Sequence, residues 1–401
     1  MLGLLLVASA LASPARAEHA LSAALAEGAN PGAVFEHLGD GEVLYLVDAE
    51  GRPLLDVRSG EPFVPASTIK LFTCFLALEH FGPRHRFRTE FYLDGNELIV
   101  RGLGDPFLVT EEIEHIAREL ARRIPGREIA GLGIDDSYFA SDLSIPGRGR
   151  SPNPYDAPVS ATAVNFNSVA VRRKQGRVTS ADPRTPLTAS ARELALRQKL
   201  RGAARISLGT RERALRHAGE LLAAELRKAG VRVGNALDSA ASAPSGKPLY
   251  VHANSRPLAE VCRSMLEFSN NFVANVLFLD VGASLYGPPA SLEKARRAAR
   301  STIERHPELR GLRVWEGSGL SRENRATARA LAALLELFSP YRHLLPRKNG
   351  VLAKTGTLRD TATLVGYLPS RTRGMLRFVL ALDGSGSERR WRIVESLART
   401  F

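Results

Sequence analysis

The sequence predicts an α+β fold in which strands from both ends of the chain join one antiparallel sheet that is packed by helices. Two strands are indicated early in the chain and three near its end, over 42–48, 53–58, 351–355, 361–368 and 375–382. Between them, apolar residues recur at helical spacing, which is the second observation behind this fold class. The third is a change of pattern from 87 onward, which indicates an inserted mixed α/β domain.

The first residues of the chain form a separate leader. Residues 1–17 contain a short apolar run and end in Ala15-Arg16-Ala17, a small-x-small pattern that is typical of a cleaved secretory signal peptide. The leader lacks an early Lys or Arg, so an incorrectly chosen start codon and an uncleaved anchor stay open as alternatives. No later segment is long enough to span a membrane. We expect an exported, periplasmic protein with no transmembrane segment in the mature chain.

The insertion is predicted over 83–246, between a first part of the catalytic domain at 18–82 and a second part at 247–401. Its elements, in chain order, are strands at 87–93 and 97–101, a helix at 111–123, a Pro, Gly and Ser rich passage at 144–158, and an amphipathic helix at 211–230. A small-residue linker at 240–246 closes it. We expect the insertion to fold as its own lobe and to shape substrate access without supplying catalytic groups.

The second part of the catalytic domain is helical before its three strands begin. Helices are indicated from 257 onward, at 292–303 and at 326–338. A terminal helix over 388–401 carries four apolar side chains on one face, which are Trp391, Val394, Leu397 and Phe401.

Three polar boxes lie within these apolar segments and carry the chemistry. They are Ser67-Thr68-Ile69-Lys70, Ser269-Asn270-Asn271 and Lys354-Thr355-Gly356-Thr357. Each box alone is usually a helix cap, a turn or a strand end. The ordered set is the active-site pattern of penicillin-binding proteins and serine β-lactamases. Because each box is embedded in an apolar stretch, we interpret the set as catalytic.

The residue types fit acyl transfer. A serine hydroxyl needs a base, and a lysine can serve as that base if desolvation or a second cation lowers its pKa. Ser67 and Lys70 share one helix face, and Lys354 is the second cation, expected near a substrate carboxylate. Ser269 and Asn271 would supply a proton relay and a donor to the substrate amide. Gly356 lets the substrate backbone approach, and the backbone amides of Ser67 and Thr357 would form the oxyanion hole.

The chain resembles a narrower group, the D-alanyl-D-alanine carboxypeptidase/endopeptidase family S13, the class C low-molecular-mass penicillin-binding proteins. The resemblance rests on VPASTIK at 64–70, MLEFSNN at 265–271, EGSGLSR at 316–322 and AKTGTL at 353–358, together with GLGDP at 102–106 and APVSA at 157–161 before Asn165. It spans nearly the whole mature chain. Glu316 stands where many members have aspartate, and the insertion is abbreviated.

The resemblance implies a serine β-lactamase/DD-transpeptidase-like fold and a catalytic set of Ser67, Lys70, Ser269, Asn271 and Lys354. Thr355, Gly356 and Thr357 are implied as substrate-binding residues. Peptidoglycan stem peptides are the implied partners, with β-lactam antibiotics as covalent inhibitors, and no cofactor or metal is implied. The expected reaction is hydrolysis of D-Ala-D-Ala termini or of D-Ala-meso-diaminopimelate cross-links through an acyl-enzyme on Ser67.

Two other functions remain in competition. A serine β-lactamase shares the boxes, but class A enzymes deacylate with a glutamate in an E-x-x-L-N element, and here HPELR at 306–310 lacks both the leading glutamate and the asparagine. A catalytically inactive wall-binding protein would tolerate the loss of Lys70 or Lys354, and both are present. Carboxypeptidase and endopeptidase activity cannot be separated at this level, because the choice depends on the shape of the groove beside Ser67.

Composition excludes further classes. A net charge of +13 and a pI near 10.2 invite nucleic-acid binding, but the arginines are dispersed and no recognition motif accompanies them. We interpret the charge as attraction to anionic wall or membrane, or as plain solvated surface. The nine histidines show no metal spacing. Cys74 and Cys262 are most simply buried thiols, although an exported protein permits a disulfide between them.

Overall fold

The fold is described from a computed structural model, which covers residues 38–198, 200–370, 373–384 and 388–401. The leader at 1–17 lies outside the described residues, as does everything before Leu38. Within the described part of the chain, no helix combines the length and the apolar character needed to cross a membrane.

The central sheet has six antiparallel strands drawn from both ends of the chain, in the order β11-β12-β13-β14-β1-β2. The strands are β1 (Val43–Val47), β2 (Pro53–Val57), β11 (Arg347–Lys348), β12 (Val351–Leu358), β13 (Thr361–Ser370) and β14 (Gly374–Asp383). The pairing of β1 with β14, with Tyr45 opposite Val379, joins the two ends of the chain. The five strands predicted from alternation and apolar content are all found in this sheet.

Helices cover both faces of this sheet. The helices of the catalytic part are α1 (Lys70–Phe81), α5 (Leu258–Phe268), α6 (Asn271–Tyr286), α7 (Leu292–Arg305), α8 (Ala328–Phe338) and α9 (Arg389–Thr400). The terminal helix α9 packs Val394 and Leu397 onto one face of the sheet. The buried α6 is apolar around its whole circumference and packs beside α1 in the centre of the main core.

The inserted residues form two further sheets and three helices. A mixed five-stranded sheet has the order β10-β3-β4-β5-β9, and a small antiparallel sheet has the order β7-β6-β8. Their elements are β3 (Arg88–Asp94), β4 (Glu97–Gly102), α2 (Thr110–Arg123), β5 (Glu128–Asp135), β6 (Ser168–Lys174), β7 (Arg177–Ser180), α3 (Ala189–Arg197), β8 (Gly202–Ser207), α4 (Arg211–Lys228), β9 (Arg232–Asp238) and β10 (Tyr250–Ala253).

The inserted part shares its packing with the catalytic part. Phe107, Phe139 and Val159 belong to the same hydrophobic cluster as Phe72 and Phe278. The insertion is therefore not a lobe held only by its linkers, because removing it would uncover the core behind the nucleophile helix.

The predicted end of the insertion, between residues 246 and 247, does not coincide with the end of the inserted sheet. Strand β10 lies beyond that boundary, yet it pairs with β3 of the inserted sheet, with Tyr250 opposite Phe91. The domain limits stay a prediction, and this pairing favours an end of the insertion after Ala253.

Candidate active site

The nucleophile lies in the turn that begins the first helix. Residues Ala66–Ile69 form a short 3-10 turn that continues directly into α1. Ala66 adopts φ +48°, a left-handed conformation that L-residues adopt only at a cost of about 1 kcal/mol. Ser67 is partly exposed, whereas Lys70, one turn later, is completely buried. The hydroxyl is thus open to substrate while its neighbour is shielded from water.

Lys70 Nζ makes three short contacts. It lies 2.8 Å from Ser67 Oγ, 2.8 Å from Asn271 Oδ1 and 2.6 Å from the carbonyl oxygen of Ser318. The last two atoms only accept hydrogen bonds, so they use two N–H groups. A neutral amine has two N–H groups and one lone pair. The lone pair of a neutral Lys70 is then left for the Ser67 hydroxyl proton, which is the arrangement that a general base requires.

The electrostatics favour that neutral form. Burial lowers the pKa of Lys70 well below its ordinary value, and the charge of Lys354 lowers it further. The carboxylate of Glu316 acts in the opposite direction. Burial and the charge of Lys354 both favour a neutral Lys70. Its role as the base stays a prediction.

The second box lies at the junction of two helices. Ser269 ends α5 in a left-handed conformation, with φ 51° and ψ 39°. The side chain of Asn270 caps α6 by accepting from the Val273 amide, and Asn271 is the first residue of α6. This sharp turn directs Asn271 Oδ1 to Lys70 and leaves Ser269 Oγ 3.0 Å from Lys354 Nζ.

The third box lies on strand β12, beside the nucleophile turn. Lys354 Nζ donates to Ser269 Oγ at 3.0 Å and to the carbonyl oxygen of Thr355 at 2.7 Å. Burial, followed by the charge of Arg390, lowers the pKa of Lys354 to about 8. A Cβ on Gly356 would lie 2.9 Å from the Ser67 amide nitrogen and 2.8 Å from the Pro65 carbonyl oxygen. Glycine is therefore required where the strand approaches the nucleophile.

The structure thus brings Ser67, Lys70, Ser269, Asn271 and Lys354 together in one site, with Gly356 against the nucleophile turn. Two contact chains connect them: Ser67 to Lys70 to Asn271, and Lys354 to Ser269. Thr355 and Thr357 flank Gly356 on β12.

A buried carboxylate that the sequence analysis did not assign a role organises the back of the site. Glu316 is 0% exposed and accepts five hydrogen bonds, all from residues that follow it closely in the chain, which are Ser318 (two), Gly319, Ser321 and Asn324. These bonds fix the loop whose Ser318 carbonyl receives Lys70.

The same loop locks against the nucleophile turn. Gly319 has φ +88°, and a Cβ there would lie 2.0 Å from the carbonyl oxygen of Ala66. Thr73 Oγ1, on α1, donates to the Gly317 carbonyl at 2.7 Å, and the Gly317 amide donates to Asn275 of α6 at 3.0 Å. Glu316 is therefore a positioning residue for Lys70. The EGSGLSR stretch was the sequence signal, but it indicated family resemblance and not this role.

A second unassigned residue comes from the last helix. Arg390 is buried, and its Nη1 donates to the carbonyl oxygen of Gly356 at 2.7 Å, to Thr357 Oγ1 at 3.0 Å and to the carbonyl oxygen of Thr363 at 3.2 Å. It supports the third box from behind and adds positive charge near Lys354. No motif in the sequence marks it.

Two further groups of residues remain, the cysteines and the side chains that could bind a metal. Cys74 and Cys262 are both free and buried, and Cys74 Sγ lies 4.0 Å from the carbonyl oxygen of Cys262, with burial raising the pKa of Cys74 well above its usual value. No group of three or more His, Cys, Asp or Glu side chains within the described ranges could hold a metal ion.

Comparison with known proteins decides the family. A model of the D-Ala-D-Ala carboxypeptidase 3 (S13) family matches residues 41–342. The chain belongs to this family. Membership confirms the predicted recognition and the predicted enzyme class, a serine-type, penicillin-binding hydrolase.

Two proteins named as carboxypeptidases resemble the chain over most of its length. D-alanyl-D-alanine carboxypeptidase DacB of Haemophilus influenzae is 24% identical over an alignment of 434 positions that covers 91% of this chain and 87% of the relative. Carboxypeptidase Rv3627c of Mycobacterium tuberculosis is 26% identical over an alignment of 389 positions that covers 84% of this chain and 74% of the relative.

Solved structures confirm the fold class. Penicillin binding protein 4 of Haemophilus influenzae matches with a TM-score of 0.72 at 18% identity, covering 94% of this chain and 98% of that one. A predatory endopeptidase of Bdellovibrio bacteriovorus matches with a TM-score of 0.52 at 17% identity, covering 89% and 91%. The α+β fold with an inserted mixed domain is therefore the fold of this chain.

Proposed function

We propose that this protein is a DD-peptidase that cleaves the D-Ala-D-Ala ends or D-Ala cross-links of peptidoglycan stem peptides through an acyl-enzyme on Ser67. The observation that carries the proposal is the coordination of Lys70 Nζ. With two N–H groups bound to Asn271 and Ser318, its lone pair is available only to the Ser67 hydroxyl.

Acylation follows from these contacts. Lys70 Nζ takes the Ser67 proton as Oγ forms a bond to the carbonyl carbon of the penultimate D-Ala. The resulting oxyanion would be stabilised by the backbone amides of Ser67 and Thr357. As the C–N bond breaks, the proton that Lys70 received passes to the leaving amine, with the Ser269 hydroxyl, which accepts from Lys354 Nζ at 3.0 Å, as the proposed relay. Lys70 is neutral again after this step. It then takes a proton from the water that attacks the ester, and that proton returns to Ser67 Oγ as the ester C–O bond breaks.

Substrate binding is proposed for the strand side of the site. Lys354 supplies a positive charge for the terminal carboxylate of the peptide, with the hydroxyls of Thr355 and Thr357 as additional donors. Arg390 supports this role because it holds Thr357 Oγ1 at 3.0 Å. Asn271 would donate its Nδ2 hydrogens to the substrate amide. The terminal carboxylate of D-Ala-D-Ala and the ring carboxylate of a penicillin are chemically equivalent in this arrangement.

Covalent binding of β-lactams is proposed on the same grounds. The penicillin binding protein 4 of Haemophilus influenzae has been solved as a complex with a β-lactam, at a TM-score of 0.68 to this chain. Ser67 would open the lactam ring as it opens the peptide bond.

Rapid hydrolysis of β-lactams is disfavoured by the position of Glu308. His306 lies 2.7 Å from Glu79 and 3.6 Å from Glu308. Glu79 lies in the last turns of α1, roughly 13 Å from Lys70 at a rise of about 1.5 Å per residue. Glu308 therefore lies near the far end of the helix and cannot direct water to the Ser67 ester.

Export to the periplasm and action on intact wall polymer belong to the same proposal. The basic composition, +13 at neutral pH, favours contact with anionic polymer by long-range attraction.

The deciding test uses Ser67→Ala. Wild-type protein should be labelled stably by a fluorescent penicillin and should release D-Ala from a free pentapeptide or cleave cross-linked peptidoglycan, with products assigned by mass spectrometry. Ser67→Ala should do neither while keeping its circular dichroism and melting transition, because the Ser67 side chain is partly exposed and caps no helix. Covalent labelling of the variant would overturn the proposal, and fast release of the label by the wild type would indicate a β-lactamase.

A further inference from the structure

The carbonyl oxygen of Pro65, two residues before the nucleophile, accepts three hydrogen bonds. Two come from Thr68 of the same turn, through its amide at 3.2 Å and its hydroxyl at 2.6 Å. The third comes from the far end of the chain, where Thr363 Oγ1 on β13 donates at 2.9 Å. Thr363 is 0% exposed. A fully buried hydroxyl therefore joins the central sheet to the nucleophile turn.

The hydroxyl of Thr363 reaches this turn across Gly356, which lies directly opposite it on the neighbouring strand β12. A Cβ on Gly356 would clash with Thr363 Oγ1 and would lie 2.8 Å from the Pro65 carbonyl oxygen. Any side chain at position 356 would thus occupy the space that the hydrogen bond between Thr363 and Pro65 uses. Gly356 is required for this bond as well as for the approach of the strand to the turn.

The bond is placed where it can direct the Ser67 amide. Peptide units are planar, so only the two dihedral angles of Ala66 lie between the Pro65 carbonyl and the Ser67 amide. Ala66 adopts φ +48°, a left-handed conformation that its surroundings have to maintain. Thr363 holds the peptide unit before Ala66, and the loop at Gly319 packs against the carbonyl oxygen of the unit after it. The orientation of the Ser67 amide is therefore fixed from both sides.

We propose that Thr363 is a positioning residue for the oxyanion hole, acting through the Pro65 carbonyl on the amide of Ser67. The inference rests on the proposed function, in which the amides of Ser67 and Thr357 receive the oxyanion. Thr357 follows Gly356 on β12, and β12 is paired with β13 along its length. The same strand pair therefore carries the second amide directly and, through Thr363, fixes the first amide relative to it.

Removal of the hydroxyl should spare the fold. Valine has nearly the shape of threonine, and the Pro65 carbonyl keeps both hydrogen bonds from Thr68, so no buried acceptor is left without a donor. Thr363→Val should therefore melt close to the wild-type temperature. The change falls on the position of the turn, and small displacements of reacting groups can cost about 10²-fold in rate.

The experiment measures acylation of Thr363→Val, Thr363→Ser and the wild type in single turnovers, with a β-lactam and with a D-Ala-D-Ala peptide. Thr363→Val should lower the acylation rate constant by about 10- to 100-fold for both ligands. The dissociation constant of the complex that precedes acylation should change by less than about twofold, because the oxyanion forms only during the reaction. Thr363→Ser keeps the hydroxyl and should stay within about threefold of the wild type in both constants.

Thr361→Val is the matched control. Thr361 lies on the same strand but opposite Leu358, so it does not face Gly356. This variant should be acylated like the wild type. A peptide boronic acid gives a second measurement, because its boron bonds to Ser67 Oγ and places an oxygen in the oxyanion hole. Thr363→Val should weaken its binding about as much as it slows acylation, which a general loss of stability would not do.

A folded Thr363→Val that acylates at the wild-type rate would overturn the positioning role. Equal losses in Thr363→Val and Thr363→Ser would do the same, as would an equal loss in Thr361→Val. If Thr363→Val does not fold, Thr363→Ala, which also lacks the hydroxyl, takes its place in the comparison. Failure of the proposed function would look different, because the wild type itself would then not be labelled by penicillin.

Discussion

The catalytic centre and a cavity of about 630 Å³ that opens beside it share Ser269 and Asn271 but are built in opposite ways. In the centre, Lys70 and Lys354 are buried and hydrogen-bonded before any substrate arrives. In the cavity, Phe268 is exposed. The catalytic side chains are therefore already held in position in the free protein, whereas the wall of the cavity becomes covered only when a ligand binds. Changes to the base and its supports should therefore act on every substrate, whereas changes to groups that contact only part of a ligand should act on some.

The largest effect is expected from removing the base. Lys70→Ala should lower acylation by penicillin and by peptide alike, by roughly 10²- to 10⁴-fold, the range of general base catalysis. Stopped-flow acylation rates measure it. A loss that is large for peptides and small for penicillin would contradict the role of Lys70 as the base, because Lys70 would then act in peptide recognition.

Substitution of the positioning carboxylate should come next. Glu316→Gln replaces one of the two oxygens that accept from Ser318, Gly319 and Asn324 by an NH2 group that only donates, so the loop that presents the Ser318 carbonyl to Lys70 is loosened. We expect a fall in acylation of about 10- to 100-fold, the equivalent of one charged hydrogen bond.

The pH profile separates this role from a merely structural one. The charge of Glu316 raises the pKa of Lys70, so its removal should move the acid limb of the rate profile to lower pH. A second variant, Glu323→Gln, is the control, because Glu323 lies on the same loop but is exposed. An unchanged acid limb in a folded Glu316→Gln enzyme would mean that Glu316 only stabilises the loop.

Lys354→Ala should divide the substrates within the centre itself. The loss of its charge should reduce kcat/KM for peptides with a free terminal carboxylate by about tenfold or more, since a charged hydrogen bond is lost. A C-terminally amidated peptide should be affected much less. Equal impairment of acid and amide would make Lys354 part of the proton relay and not the carboxylate site.

The sequence predicted the centre better than its supports, for a physical reason. Three of the catalytic candidates interrupt apolar stretches of the sequence, namely Ser67, Ser269 and Lys354. Polar residues in such stretches can be recognised from the sequence alone. The role of Glu316 is not visible, because its partners are mostly amides of its own loop, which converge only after folding. Arg390 is also hidden, since one arginine on an Arg-rich amphipathic helix looks like any solvated side chain.

The sheets follow the same rule. Long strands such as β13 and β14 were predicted from their apolar content, and their partners follow from antiparallel pairing. The four-residue β10 was not predicted as part of the insertion, because so short a strand carries no period of its own. Its pairing with β3 depends on tertiary structure. The cavity beside Ser269 likewise exists only where two parts of the chain meet.

The smallest effect should come from pH alone. Burial lowers the pKa of Lys354 to about 8, so Lys354 loses its charge as the pH rises through 8. For a peptide with a free terminal carboxylate, kcat/KM should fall a fewfold between about pH 7 and pH 9, because the carboxylate loses its cation but keeps the hydroxyls of Thr355 and Thr357. The amidated peptide should show no such fall, because it presents no terminal carboxylate to Lys354. The effect of Lys354 on stability has the opposite sign. The unfolded chain keeps Lys354 protonated to higher pH than the folded chain does. The free energy of unfolding therefore rises as the pH increases from about 8 towards the ordinary pKa of lysine. Melting temperatures and kcat/KM measured on the same samples therefore separate a titrating Lys354 from general loss of structure. If kcat/KM fell at high pH for the free acid and the amidated peptide alike, the titration would belong to another group.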